Sequence, residues 1–143
     1  MDLHHMGDVR DWLERLRQDL LEYIQKERAD GKQAVVRRAQ DILTQRFGGE
    51  ITLPELAEQL DLTPGYLSAL MKKYTGKTFS EYLTYLRIEQ AKKLLRETND
   101  KIYAVAVAVG YEDAFYFSRI FKRETGMTPG DWRKRAEQRG DAL

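Results

Sequence analysis

"YFSRIFKRETG", residues 116–126, nearly repeats "YLSALMKKYTG", residues 66–76. Ser118 falls over Ser68, Lys122 over Lys72, Thr125 over Thr75 and Gly126 over Gly76. Upstream the match continues at an offset of 49, with Leu53, Leu56, Ala57 and Leu60 answering Ile102, Val105, Ala106 and Val109. Past the turn the offset is 50, so the second copy carries one extra residue between its two helical stretches. Two copies are too few for a solenoid and indicate one small unit used twice. Each unit reads as a short helix, a tight turn and a second helix, the helix-turn-helix pattern. Ala57 and Ala106 are small where the two helices would cross. Gly110 suits a turn residue of positive φ, and Asp61 holds that place less comfortably in the first copy.

Helix punctuation supports an all-α fold. Thr52-Leu-Pro-Glu55 and Thr78-Phe-Ser-Glu81 read as capping boxes. Thr63-Pro64 and Thr128-Pro129 place proline at the first helical position. Asp100 and Asp113 read as N-caps, and Gly76 and Gly126 as left-handed stops. Strand-like alternation is absent. The expected helices cover 34–46, 53–60, 64–75, 79–97, 101–109, 113–125 and 129–138. This gives a first helix-turn-helix at 53–75, a linker helix at 79–97 and a second helix-turn-helix at 101–125, within a domain at 34–138 and ahead of a tail at 139–143.

The free faces of the two second helices point to a partner. In 64–75 the apolar stripe is Leu67, Leu70, Met71 and Tyr74, at helical spacing. Gly65, Tyr66, Ser68, Ala69, Lys72 and Lys73 remain for solvent or a ligand. In 113–125 Phe117, Ile120 and Phe121 point inward, leaving Ala114, Phe115, Ser118, Arg119 and Lys122. Small residues near a helix start, hydroxyls and cations are what a helix needs to enter a DNA major groove. The linker helix, about 28 Å long, would hold two such helices about one DNA turn apart.

The totals are mild. The 143 residues carry 24 basic and 23 acidic side chains, and from residue 51 onward 15 basic face 13 acidic. Without cysteine there are no disulfides, thiolate chemistry or Cys-based zinc sites, which suits a cytoplasmic protein. No apolar run approaches the ~20 residues that span a bilayer. "MDLHHMGD" lacks a signal-peptide core, so residues 1–7 read as a tag or disordered start. His4 and His5 have no further metal ligands nearby. No P-loop or dinucleotide fingerprint is visible, and Glu112-Asp113 reads as turn and cap, so neither an enzyme nor a cofactor is expected. The competing function is a helical adaptor that binds protein alone.

Two stretches carry a family likeness: "LPELAEQLDLTPGYLSALMKKYTGKTFSEYLTYLRIEQAKKLL" and "KIYAVAVAVGYEDAFYFSRIFKRETGMTPGDWR". Over roughly residues 35–135 the chain resembles the DNA-binding domain of AraC-type transcription regulators. The resemblance implies two helix-turn-helix subdomains on a long helix, one asymmetric double-stranded DNA site, and contact with RNA polymerase where members activate. Gly65 and Ala69 stand where larger side chains often reach bases, which leaves Ser68 and an Ala69–thymine methyl contact to the first reader. Phe115 replaces a small hydroxyl residue and either faces DNA or packs inward. Arg119 reaches either a guanine edge or a phosphate. Tyr103, Ala104, Val107 and Ala108 form an apolar outer face where the family usually has Glu or Lys. That face is a partner surface, a peculiarity of this protein or an engineered change.

Residues 8–33 lie outside the likeness. Val9, Trp12 or Leu13, Leu16, Leu20, Tyr23 and Glu27 alternate by three and four, as in a short coiled coil. This resembles the connector of AraC-type response regulators, with residues 8–27 as a homodimer contact and "RADGKQ" (28–33) as a polar hinge. The other reading is a helix packed on its own domain.

Overall fold

The computed structural model describes the backbone of residues 3–140 and the side chains of residues 7–140. It contains α1 (Leu3–Arg46), α2 (Leu53–Gln59), α3 (Pro64–Thr75), α4 (Phe79–Glu97), α5 (Ile102–Ala108), α6 (Ala114–Thr125) and α7 (Pro129–Gln138). Among the described residues there is no strand.

The caps set these boundaries. The hydroxyls of Thr52, Thr63, Thr78 and Thr128 accept from the N–H groups of Glu55, Tyr66, Glu81 and Asp131 at 3.1–3.3 Å. Each bond satisfies one of the amides orphaned at a helix start. Asp113 does more, accepting from Phe115 N–H at 2.8 Å and Tyr116 N–H at 3.3 Å through one oxygen. The expected cap at Asp100 does not form. The N-cap of α5 is Lys101, without a side-chain bond, because Asp100 lies one residue too early and its N–H is held by Thr98 Oγ1.

The repeat at 66–76 and 116–126 has the same physical cause in both copies. Thr75 Oγ1 donates to Met71 O at 2.6 Å and accepts from Lys77 N–H at 3.1 Å. Thr125 does the same with Phe121 O at 2.8 Å and Met127 N–H at 3.2 Å. Gly76 (φ 77°) and Gly126 (φ 83°) then stop each helix in the left-handed region, where a Cβ is unfavourable. Inside the units Gly110 (φ 102°) and Asp61 (φ 56°) both take the left-handed turn.

Two separate cores result. The first gathers Ala39 and Leu43 of α1, Leu56 and Ala57 of α2, Leu67 and Met71 of α3, and Phe79. Tyr82, Leu83 and Leu86 of α4 pack against it. The second gathers Ile88, Ala91 and Leu95 of α4 with Val105, Ala106, Phe117, Ile120 and Phe121. Trp132 of α7 meets Phe121 edge-on at 6.3 Å. α4 is thus divided along its length between the two units. Tyr74, expected in the buried stripe, is only half-buried.

The N-terminal region departs from expectation. α1 runs unbroken through residues 28–33, so "RADGKQ" is helix and not a hinge. One interior glycine costs about 1 kcal/mol relative to alanine, and Ala29, Lys32, Gln33 and Ala34 around Gly31 are helix formers with no proline among them. The helical backbone also reaches back to Leu3, into the stretch read as a disordered start. The His4 and His5 side chains lie outside the described residues. α1 does not fold back on the domain: side chains 7–28 are all exposed.

Phe121 is fully buried between Phe117 and Trp132. Phe121→Ala is expected to cost about 3–5 kcal/mol, read from chemical denaturation. An unchanged unfolding midpoint would remove Phe121 from the core.

Candidate nucleic-acid interface

α3 and α6 each have 12 residues, a polar N-cap and a buried stripe, and each presents the opposite face outward. On α3 the first turn is open: Pro64 and Gly65 are exposed, and Tyr66 is 45% exposed. A Cβ built on Gly65 would meet nothing within 4 Å, so glycine there keeps the helix start low without any packing need. Ser68 is half-buried and Ala69 exposed.

The two lysines of α3 are partly engaged. Lys72 Nζ donates to Gly76 O at 3.1 Å and lies 3.8 Å from Glu81. It therefore also serves the end of its own helix, where a cation meets the carbonyl dipoles. Lys73 Nζ sits 5.4 Å from the Tyr74 ring centroid.

α6 is the more strongly built of the two. Phe115 is 85% exposed, which decides between its two readings: it does not pack inward. It lies across the helix from the stripe of Phe117, Ile120 and Phe121, so the core cannot reach it. Ser118 is half-buried beside it, and Arg119 and Lys122 are exposed. Arg119 has no ion-pair partner among the described residues. Its charge is therefore free, whereas Arg123 is tied to Glu124 at 2.9 Å. Ala114, expected on the outer face, is half-buried against the second core. As the first residue of α6 it lies where the chain enters from the turn.

Tyr116 and Arg123, the repeat counterparts of Tyr66 and Lys73, are exposed as well and lie outside the set read from the sequence. Tyr116 is 49% exposed and stands 50 positions after Tyr66. The repeat itself signals both, since Tyr66 and Lys73 stand at the matching positions. Tyr116 leans on Tyr111, with ring centroids 5.9 Å apart, which fixes one side of the ring and leaves the rest open.

Among the described residues no group of His, Cys, Asp and Glu could hold a metal, and no helix is long and apolar enough to cross a membrane.

A family model described as a helix-turn-helix domain matches residues 56–135. The chain is 38% identical over 93 residues to the HTH-type transcriptional activator RhaR of Yersinia pseudotuberculosis, covering 65% of this chain and 32% of that protein. The solved C-terminal domain of AraT, a response regulator from Geobacillus stearothermophilus, superposes with a TM-score of 0.68. It is 38% identical, over 70% of this chain and 84% of that one. The C-terminal domain of the two-component response regulator yesN from Fusobacterium nucleatum gives a TM-score of 0.65 and 41% identity, over 68% and 95% of the two chains. The chain spans less than half the length of the curated relatives it matches. With two capped helix-turn-helix units on one linker helix, matched in sequence and in shape, the chain belongs to the AraC-type family of helix-turn-helix transcription regulators and carries its DNA-binding domain.

Proposed function

We propose that α3 and α6 enter successive major grooves of one double-stranded DNA site, and that the chain regulates transcription from there. The observation that carries this reading is the duplicated outer face: Ser68 and Ser118, Lys72 and Lys122, each following a capped helix start at a constant offset. α4, with 19 residues, is about 28 Å long, close to the rise of one DNA turn. The lysines serve phosphates and set position. In this reading Ser68, Ala69, Ser118 and Arg119 serve base edges, and Phe115 serves thymine methyl groups or sugar. α6 carries the greater share of recognition, because Arg119 is a forked cation without an ion-pair partner among the described residues and the α3 residues assigned to base edges, Ser68 and Ala69, are small. The setting is the cytoplasm, and the chemistry is binding rather than catalysis.

The exposed half of α1 extends the reading to a homodimer. Val9, Leu13, Leu16, Leu20 and Tyr23 are 42–63% exposed along one seam, and their spacing alternates by four and three. Arg10 and Arg17 border one side of the seam, and Asp19 the other. A parallel pair of such helices buries the seam and holds both domains at the same end. The adaptor reading keeps one support, the exposed Tyr103 (62%) and Val107 (61%) on α5.

Three measurements test these statements. Affinity for promoter-length duplex should fall steeply with salt, by about 10³–10⁵ between ~50 and ~200 mM if six to ten phosphates are contacted; no duplex affinity at low salt would favour the adaptor. Arg119→Ala should weaken specific binding by about 1–3 kcal/mol with circular dichroism unchanged, and equal gel-shift affinity would exclude Arg119 from the site. Leu16→Glu should convert a dimer to a monomer in sedimentation equilibrium, whereas a monomeric parent protein would refute the seam.

A further inference from the structure

The two cores have no residue in common. On α4, Tyr82, Leu83 and Leu86 serve the first, and Ile88, Ala91, Leu94 and Leu95 the second. At about 100° per residue these two faces are centred roughly 140° apart around the helix. A single helix joining two bodies fixes their separation well. It resists bending and torsion less well, since long helices curve under modest forces. Something at the middle of α4 has to hold the angle between the units.

Arg87 lies there, between the two faces and half-buried. Its Nε donates to Phe47 O at 2.8 Å and its Nη2 to Gly49 O at 3.1 Å. Both carbonyls belong to the segment joining α1 to α2, in the first unit. The same guanidinium carbon sits 5.3 Å from the ring centroid of Tyr111, in the turn between α5 and α6 of the second unit. One planar cation therefore bonds one unit through its edge and the other through its face.

The surroundings are shaped to admit it. A Cβ on Gly110 would come within 3.1 Å of Arg87 Nε and 3.2 Å of Phe47 O. The φ of 102° at Gly110 thus serves a close approach as well as a turn. A Cβ on Gly48 would stand 3.4 Å from Ala108 O, so the two backbones meet beside the arginine. Burial raises the Tyr111 phenol above its ordinary pKa, while the Arg87 charge works against that rise.

We infer that Arg87 is a positioning residue that fixes the angle between the two reading helices, and so the spacing of the two base-contact sites the protein accepts. This rests on the proposed two-groove reading, and it assigns Arg87 no contact with DNA. Were α4 the sole determinant of the angle, losing the fork would change nothing beyond stability. With the fork as determinant, its loss leaves both units folded and lets them swing.

The chain has no cysteine, so cysteines introduced at the exposed Glu58 and Lys134 place one spin label on each unit, away from α3 and α6. Pulsed electron resonance without DNA should give a narrow distance distribution for the otherwise unaltered protein and a broader or displaced one for Arg87→Met. Circular dichroism checks that each variant is folded. If Arg87→Met does not fold, Arg87→Gln, which keeps one donor and no charge, replaces it. The DNA arm compares duplexes whose two contact sites are moved apart by one base pair. The parent protein should lose about tenfold or more in affinity, the scale of a mismatched pair, and the variant clearly less. An unchanged distance distribution overturns the inference whatever the DNA shows. So does a broadened distribution with an undiminished spacing penalty. A broadened distribution in a protein that never binds duplex sinks the two-groove reading and leaves the angular role of Arg87 in place.

Discussion

The structure depends on α4 completing two cores at once. A helix-turn-helix of about two dozen residues has one apolar stripe per helix and cannot exclude water from it alone. Each unit closes only when a third and fourth helix cover it. α1 and the first half of α4 do this for α2 and α3, and the second half of α4 with α7 for α5 and α6. The same burial that stabilises each unit therefore mounts both on one rod. Core packing therefore fixes how far apart the outer faces of α3 and α6 stand on that rod, and leaves their mutual angle to the Arg87 fork proposed above.

The two readers are equal in backbone and unequal in chemistry. Capping, the threonine bonds at Thr75 and Thr125, and the glycine stops are the same in both. The side chains aimed outward are not. α3 shows Gly65 and Ala69 with lysines partly committed to their own helix. α6 shows Phe115, Ser118 and an unpaired Arg119. Such asymmetry suits a single site without dyad symmetry, in which one half is read closely and the other mainly anchors the phosphates.

Much of this was legible in the chain, because it is local. Caps, glycine stops and apolar periodicity act within four residues, so the bounds of α2 to α7 can be read to within one residue, with the cap of α5 falling at Lys101 instead of Asp100, and the left-handed turn at Asp61 can be read directly. Phe121 and Leu67 announced themselves by spacing. What escaped was non-local or energetically marginal. Arg87 reaches carbonyls 38 and 40 positions upstream, and nothing in "YLRIEQ" marks it apart from an ordinary surface arginine. Residues 28–33 read as a polar hinge, yet the penalty of Gly31 is small against the helix formers around it. Ala114 obeyed the outward periodicity, but periodicity is silent about the turn that folds over the start of α6. Tyr116 and Arg123 are marked in the chain only through their repeat partners Tyr66 and Lys73. The exposure of Phe115 could be narrowed to two choices by pattern and decided only by packing.

The central claim is that one protein reads two neighbouring grooves on the same side of a duplex. Hydroxyl-radical footprinting on a selected binding site tests it most directly. The account predicts two protected patches on each strand, on one face of the DNA and about ten base pairs apart, the stronger one lying under α6. A single protected patch, or two on opposite faces of the duplex, would contradict it.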